Sequence, residues 1–102
     1  MKENLLKIIN NYGVIPQLKY FQSEVFELNE AIIRKEIEYQ FCETTVKMDR
    51  ENLEHIIEEI ADCMVMIHQF QLYYGIENKQ IEETMKFKID RQLERIKNEK
   101  DN

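Results

Sequence analysis

The sequence predicts an all-α fold, an antiparallel bundle of about four helices that oligomerises. Three observations predict it. The 102 residues include 2 Gly and 1 Pro, too few for the turns of a sandwich or barrel and suited to a few long elements. Apolar residues recur at spacings of three and four over long stretches, the period of a helix with one buried face. The second helix carries two apolar stripes, more than one short bundle can cover, and a dimer or tetramer would cover the rest.

The first predicted helix runs from about Glu3 to Asn11, with Leu5, Leu6, Ile8 and Ile9 apolar and Asn10-Asn11-Tyr12-Gly13 as its stop. The second runs from about Pro16 to Gln40, with Pro16 in the first turn, where a missing N–H is harmless. Leu18, Phe21, Val25, Leu28 and Ile32 form one stripe of it, and Phe26, Ile33 and Ile37 another, with Glu24, Glu27 and Glu30 between. Residues 41–50, "FCETTVKMDR", read as a connection, with Asp49 as the N-cap of a third helix from Arg50 to Tyr74. Gly75 follows as its C′ residue. Leu53, Ile56, Ile57, Ile60, Met64 and Ile67 share the expected core face of that helix, and His55, Glu59, Asp62 and Met66 the opposite one. The fourth helix spans about Asn78 to Lys97, with Ile81, Met85, Ile89, Leu93 and Ile96 on its core face. The tail from about residue 98, "NEKDN", is expected to fray. Length and ordinary composition, 43% hydrophobic and 33% charged, make 1–102 a single domain.

Several function classes are disfavoured. A formal net charge of -6 suits neither nucleic acid nor an anionic membrane as partner. No apolar run approaches the roughly 18 residues of a membrane span. "MKENLLKIINNYG" has no signal-peptide apolar region, and two cysteines, Cys42 and Cys63, read as packing thiols of a reduced, cytoplasmic protein. His68 and the five methionines also read as packing.

The informative residues are acidic. Glu24/Glu27 and Glu59/Asp62 are each three apart, so each pair sits on one helical face. Such pairs are no commoner here than 20 acids in 102 residues produce by chance, and a solvated acidic face is the ordinary reading. Position tells more than spacing. Glu24/Glu27 lies between apolar stripes, and Asp62 interrupts the run from Ile60 to Ile67, "IADCMVMI", where burial is expected. Two antiparallel helices could present all four carboxylates to one another. Two like charges about 5 Å apart repel by roughly 3 kcal/mol at an effective dielectric near 20. A hard divalent cation removes that conflict. The di-iron bundles, which use Glu-x-x-His, are excluded: Asn52 stands three before His55, and Val65 three before His68. On the fourth helix Lys88, Arg91 and Arg95 fall on one stripe, with Lys86 and Lys97 on the other flank. They are suited to phosphate, or serve as a solvated basic face.

Together these residues resemble the MazG-like nucleotide pyrophosphohydrolases, an all-α family. The likeness spans about residues 14–97 and rests on Glu24-Val-Phe-Glu27, Glu59-Ile-Ala-Asp62, the Gly75-Ile76 turn, and Lys88 with Arg91. Ser23 stands where many members carry a further acid. The resemblance implies hydrolysis of a nucleoside triphosphate between the α and β phosphates to monophosphate and pyrophosphate. It implies Mg²⁺, with Mn²⁺ as a substitute, on Glu24, Glu27, Glu59 and Asp62. Glu27 would be the catalytic base, and Lys88 and Arg91 the phosphate contacts. His55, one turn before Glu59, would lie behind the ligands or at the surface rather than among them. The homo-oligomer would be a dimer or tetramer. The rival from another class is a non-enzymatic helical interaction module with a solvated acidic face.

Overall fold

The computed structural model describes residues 1–41 and 45–101, with the side chains of 38–41 left aside. Cys42 and part of the expected connection lie outside the described residues. Four helices account for nearly all of the rest: α1 (Lys2–Tyr12), α2 (Val14–Phe41), α3 (Val46–Tyr73) and α4 (Asn78–Asp101). No described residue is in a strand, and no helix is long and apolar enough to cross a membrane.

Local chemistry sets the boundaries. Gly13 takes φ 91°, a left-handed value open to glycine, and its N–H returns to the Ile9 carbonyl. At the end of α3 the Ile76 N–H donates to the Gln71 carbonyl and the Gly75 N–H to that of Leu72, with Gly75 at φ 66°. This is a Schellman cap, as the glycine predicts. The start of α3 differs from expectation. Thr45, not Asp49, is the N-cap, and its hydroxyl accepts from the Met48 N–H at 3.1 Å. The helix therefore begins one turn earlier. Asp49 lies in that first turn, where an acid is favoured by the helix dipole, and pairs with Lys35 of α2 at 2.9 Å. At the other end α4 continues past Lys97 to Asp101.

Helices α2 and α3 are antiparallel: Gln17 meets Gln69, Glu24 and Glu27 meet Glu59, and Lys35 meets Asp49. Phe21 and Phe70 add an edge-to-face contact at 5.7 Å. The short α1 lies across both, burying Leu5 and Ile9.

Two expectations about packing are corrected. The face of α3 turned toward α2 is the acidic one, with Glu59, Cys63, Met66 and Gln69 buried, while Leu53, Ile57, Ile60, Met64 and Ile67 are exposed. Correspondingly, Gln17, Glu24 and Ala31 are the buried line of α2, flanked by exposed Leu18, Val25 and Ile32. The second difference is α4. Among the described residues it packs against none of the other helices, and Phe87 (65% exposed), Ile89 and Leu93 face outward. A side-chain hydrogen bond from Gln71 to Asn78 joins its first residue to α3. The radius of gyration is 17.8 Å, against about 13 Å for a compact domain of this length. The chain is all-helical, but one copy does not close a four-helix bundle.

Candidate metal centre

Glu24 and Glu27 are brought to α3 by the same turn of α2, and Glu59 faces them across the seam. One carboxylate oxygen of each lies within 4.8 Å of the others. Glu24 is 5% exposed and Glu59 7%, while Glu27 is exposed. The Oε2 atoms of Glu24 and Glu59 are buried and accept no hydrogen bond. Buried polar atoms without a partner are uncommon and costly, and here two lie together on facing helices.

The surroundings do little to neutralise this charge. Among the described residues no lysine or arginine pairs with Glu24, Glu27 or Glu59. His55 Nε2 lies 4.0 Å from Glu59 Oε1, and the Tyr20 hydroxyl donates to the Glu24 carboxylate. Burial pushes the Glu24 carboxyl above its ordinary range, and Asp62 and Glu27 push it further, with the Tyr20 hydrogen bond opposing. Burial likewise raises Glu59, followed by Glu27 and Asp62, with His55 opposing. The Tyr20 hydroxyl is raised by the Glu24 charge, and the buried Cys63 thiol chiefly by desolvation. Groups from two helices thus resist ionising side by side.

Asp62 is exposed, not buried. It lies at the open edge of the cluster, close enough to raise both Glu24 and Glu59, but outside the tightest three-carboxylate set. Its intrusion into an apolar run has a simple cause: the run from Ile60 to Ile67 is itself largely at the surface of the single chain. Lys88 and Arg91 lie on α4, which packs on neither acidic helix. Arg91 rests over the Phe87 ring of its own helix, 5.9 Å from the centroid. One chain therefore joins Glu24, Glu27 and Glu59, sets Asp62 beside them, and leaves the basic pair apart.

The family models, the curated proteins and the solved structures contain no match to this chain. The chemistry of the site must be read from its own residues.

That donor set is all oxygen and suits a hard divalent cation. Mg²⁺–oxygen bonds of about 2.0–2.1 Å put opposite ligands about 4 Å apart, within the spacing found. The two orphaned oxygens are the positions where such an ion has partners to gain.

Sequence reasoning missed three residues near the cluster. Tyr20 lies one turn before Glu24. Gln17 and Gln69 form a buried hydrogen bond of 2.8 Å farther along the same seam. The signal was present: Gln17 is seven residues from Glu24 and Gln69 seven from Asp62, two helical turns along the same stripes.

Proposed function

We propose that this chain is a metal-dependent nucleoside triphosphate pyrophosphohydrolase of the MazG-like kind, working as a homo-oligomer. The observation that carries the reading is the pair of buried, unpartnered carboxylate oxygens on Glu24 and Glu59. A solvated acidic face would have them in water, and a structural buried acid would have donors to both of its oxygens, whereas the Oε2 atoms of Glu24 and Glu59 have none.

Glu24, Glu27, Glu59 and Asp62 would hold Mg²⁺, or Mn²⁺ in its place; when bound, the cation neutralises phosphate charge and acidifies water. Glu27, the exposed member of the three, is the base that takes the proton of the attacking water. Water adds, the α–β anhydride breaks, and monophosphate and pyrophosphate leave. His55, exposed with its Nε2 4.0 Å from Glu59 Oε1, would favour the ionised form of that carboxylate when protonated. Lys88 and Arg91 hold the phosphates through charge-assisted hydrogen bonds. They do so from the α4 of a second copy, because α4 packs on none of its own chain's helices and its apolar face needs a partner. The outward stripe Ile57, Ile60, Met64 and Ile67 offers one.

The exposed apolar surface also favours the rival, a helical association module without catalysis. Metal separates the two. The experiment is a panel of NTPs and dNTPs with Mg²⁺, scored for pyrophosphate, alongside calorimetric titration with Mn²⁺. Pyrophosphate with nucleoside monophosphate is the expected product pair; orthophosphate alone, or no cation binding, would sink the reading. Asp62→Asn sharpens it. The variant should lose nearly all activity yet be at least as stable as wild type without metal. Wild type should gain about 2.7 kcal/mol at a hundredfold excess of Mg²⁺ over its Kd, and the variant much less. A destabilised Asp62→Asn with an intact Mg²⁺ response would make Asp62 a structural acceptor.

A further inference from the structure

We infer that the cavity between α1, α2 and α3 receives the nucleobase of the substrate, and that the Gln17–Gln69 amide pair reads its hydrogen-bonding edge. This rests on the acidic cluster being a nucleotide-hydrolysing site. The cavity, about 610 Å³, has the size of a small-molecule pocket. It adjoins the carboxylates: Tyr20, the hydrogen-bond partner of Glu24, and Asp62 both line it. From Gln17 to Glu24 is seven residues, about 10 Å along a helix, the order of the span from a base edge through the sugar to the first phosphate.

Its lining has two kinds of surface. Ile8, Val65 and Met66 supply apolar wall, unsuited to a phosphate and suited to a flat ring. The exposed rings of Tyr12 and Tyr20 add faces on which a base can stack. Set among them are two amides, Gln69 at 1% exposure and Gln17 at 8%. Gln17 Nε2 donates to Gln69 Oε1, and the Gln69 Nε2 group otherwise has the Met66 sulfur at 3.7 Å, a weak acceptor. The pair thus keeps one strong acceptor, Gln17 Oε1, beside one under-used donor. Flipping both amides reverses the order and still leaves an acceptor beside a donor. Every nucleobase carries the complementary arrangement, and a glutamine amide is suited to reading it. A clamp between two helices needs no such remainder; leucines would pack there without the cost of burying polar atoms.

The test uses free nucleosides, which have no phosphate to bring to the metal site. Adenosine, guanosine, cytidine and uridine are titrated by NMR into wild type and Glu24→Gln, with EDTA present. Saturable binding to both, with shifts in the Gln17 and Gln69 side-chain amide signals, is expected. Gln69→Glu replaces a donor by an acceptor. It should change the cytidine-to-uridine affinity ratio by about 10-fold or more, whereas a purely structural clamp would weaken all four alike. Should Gln69→Glu fail to fold, Tyr12→Ala, at an exposed rim position, should weaken every nucleoside by about 10-fold. No nucleoside binding, with triphosphates hydrolysed indifferently to base, overturns this inference and leaves the hydrolase reading standing. Nucleoside binding without hydrolysis of any triphosphate supports the pocket and sinks the hydrolase reading. Equal weakening of all four nucleosides by Gln69→Glu, or no effect of Tyr12→Ala, removes the assigned roles.

Discussion

The α2–α3 seam and α4 treat burial in opposite ways. In the seam the least accessible side chains include Gln17, Glu24, Glu59 and Gln69, groups that are costly to remove from water. On α4, Phe87, Ile89 and Leu93, which gain from leaving water, remain in it. A chain optimised for its own stability would do the reverse. On the proposed reading the contrast matches two needs: polar groups held together for chemistry inside one copy, and apolar surface left for a second. Such placement of costly groups is common at working sites, and a second copy covering the exposed apolar surface would offset its cost.

The largest effect should come from α4. A single Leu93→Asp removes an apolar contact twice in a symmetric dimer. At about 1.5–3 kcal/mol per large side chain, association should weaken by roughly 100-fold or more. Sedimentation velocity reads this directly; a wild type monomeric at micromolar concentration would break the comparison at its root. If α4 completes the site of another copy, activity should disappear with the oligomer.

The next test separates assembly from contact. Lys88→Ala and Arg91→Ala should each lower kcat/KM about 10- to 100-fold, the cost of one charge-assisted hydrogen bond, with Mg²⁺ affinity unchanged. Unchanged kinetics would move the phosphate contact to Lys86 or Arg95. Mixing Arg91→Ala with Glu59→Gln should restore activity, to about a quarter of wild type for statistically mixed dimers with sites shared across the interface. Failure to complement would return the basic residues to their own chain.

The seam itself predicts a pH effect. Glu24 and Glu59 are raised above the ordinary 4.5 in the folded state. Between 4.5 and those raised values the folded protein keeps protons that the unfolded chain has released. Their contribution to stability is therefore full below 4.5 and is lost as pH rises through the raised values. In metal-free melting curves, Glu24→Gln with Glu59→Gln should leave the Tm unchanged near pH 4 and raise it by about 5 °C at neutral pH. A variant that melts lower than wild type at neutral pH would mean that the carboxylates are satisfied as they stand. Mg²⁺ should narrow the neutral-pH gap by stabilising wild type.

The smallest effect belongs to the cap. Thr45→Ala should cost about 1 kcal/mol, read by denaturant unfolding, with kinetics unaltered. Asp49→Ala, if that residue were the cap, would cost the same by loss of the cap alone; here it should act through its ion pair with Lys35.

The legible parts of the molecule are those written in local spacing. The 3–4 repeat, Pro16 in a first turn, and Gly13 and Gly75 after their helices place all four helices to within a few residues. The acids three apart fall on common faces because a helix has 3.6 residues per turn. Thr45 was passed over because Val46-Lys47-Met48 carries no apolar period to announce the extra turn. Gln17 and Gln69 lie on the acidic stripes, but nothing in their spacing marks them for burial, since uncharged polar residues are usually exposed.

By itself the sequence determined that this protein is helical, roughly where each helix begins and ends, and which side chains share a face of each. These follow from backbone sterics, capping and helical period, which act over a few residues. Which face turns inward was decided only by tertiary structure. Glu59 went to the seam and Ile57 and Ile60 to the surface, against the ordering that hydrophobicity alone suggests, because burial depends on what else is present to pack against. For α4 and the outer stripe of α3, nothing among the described residues of the single chain is.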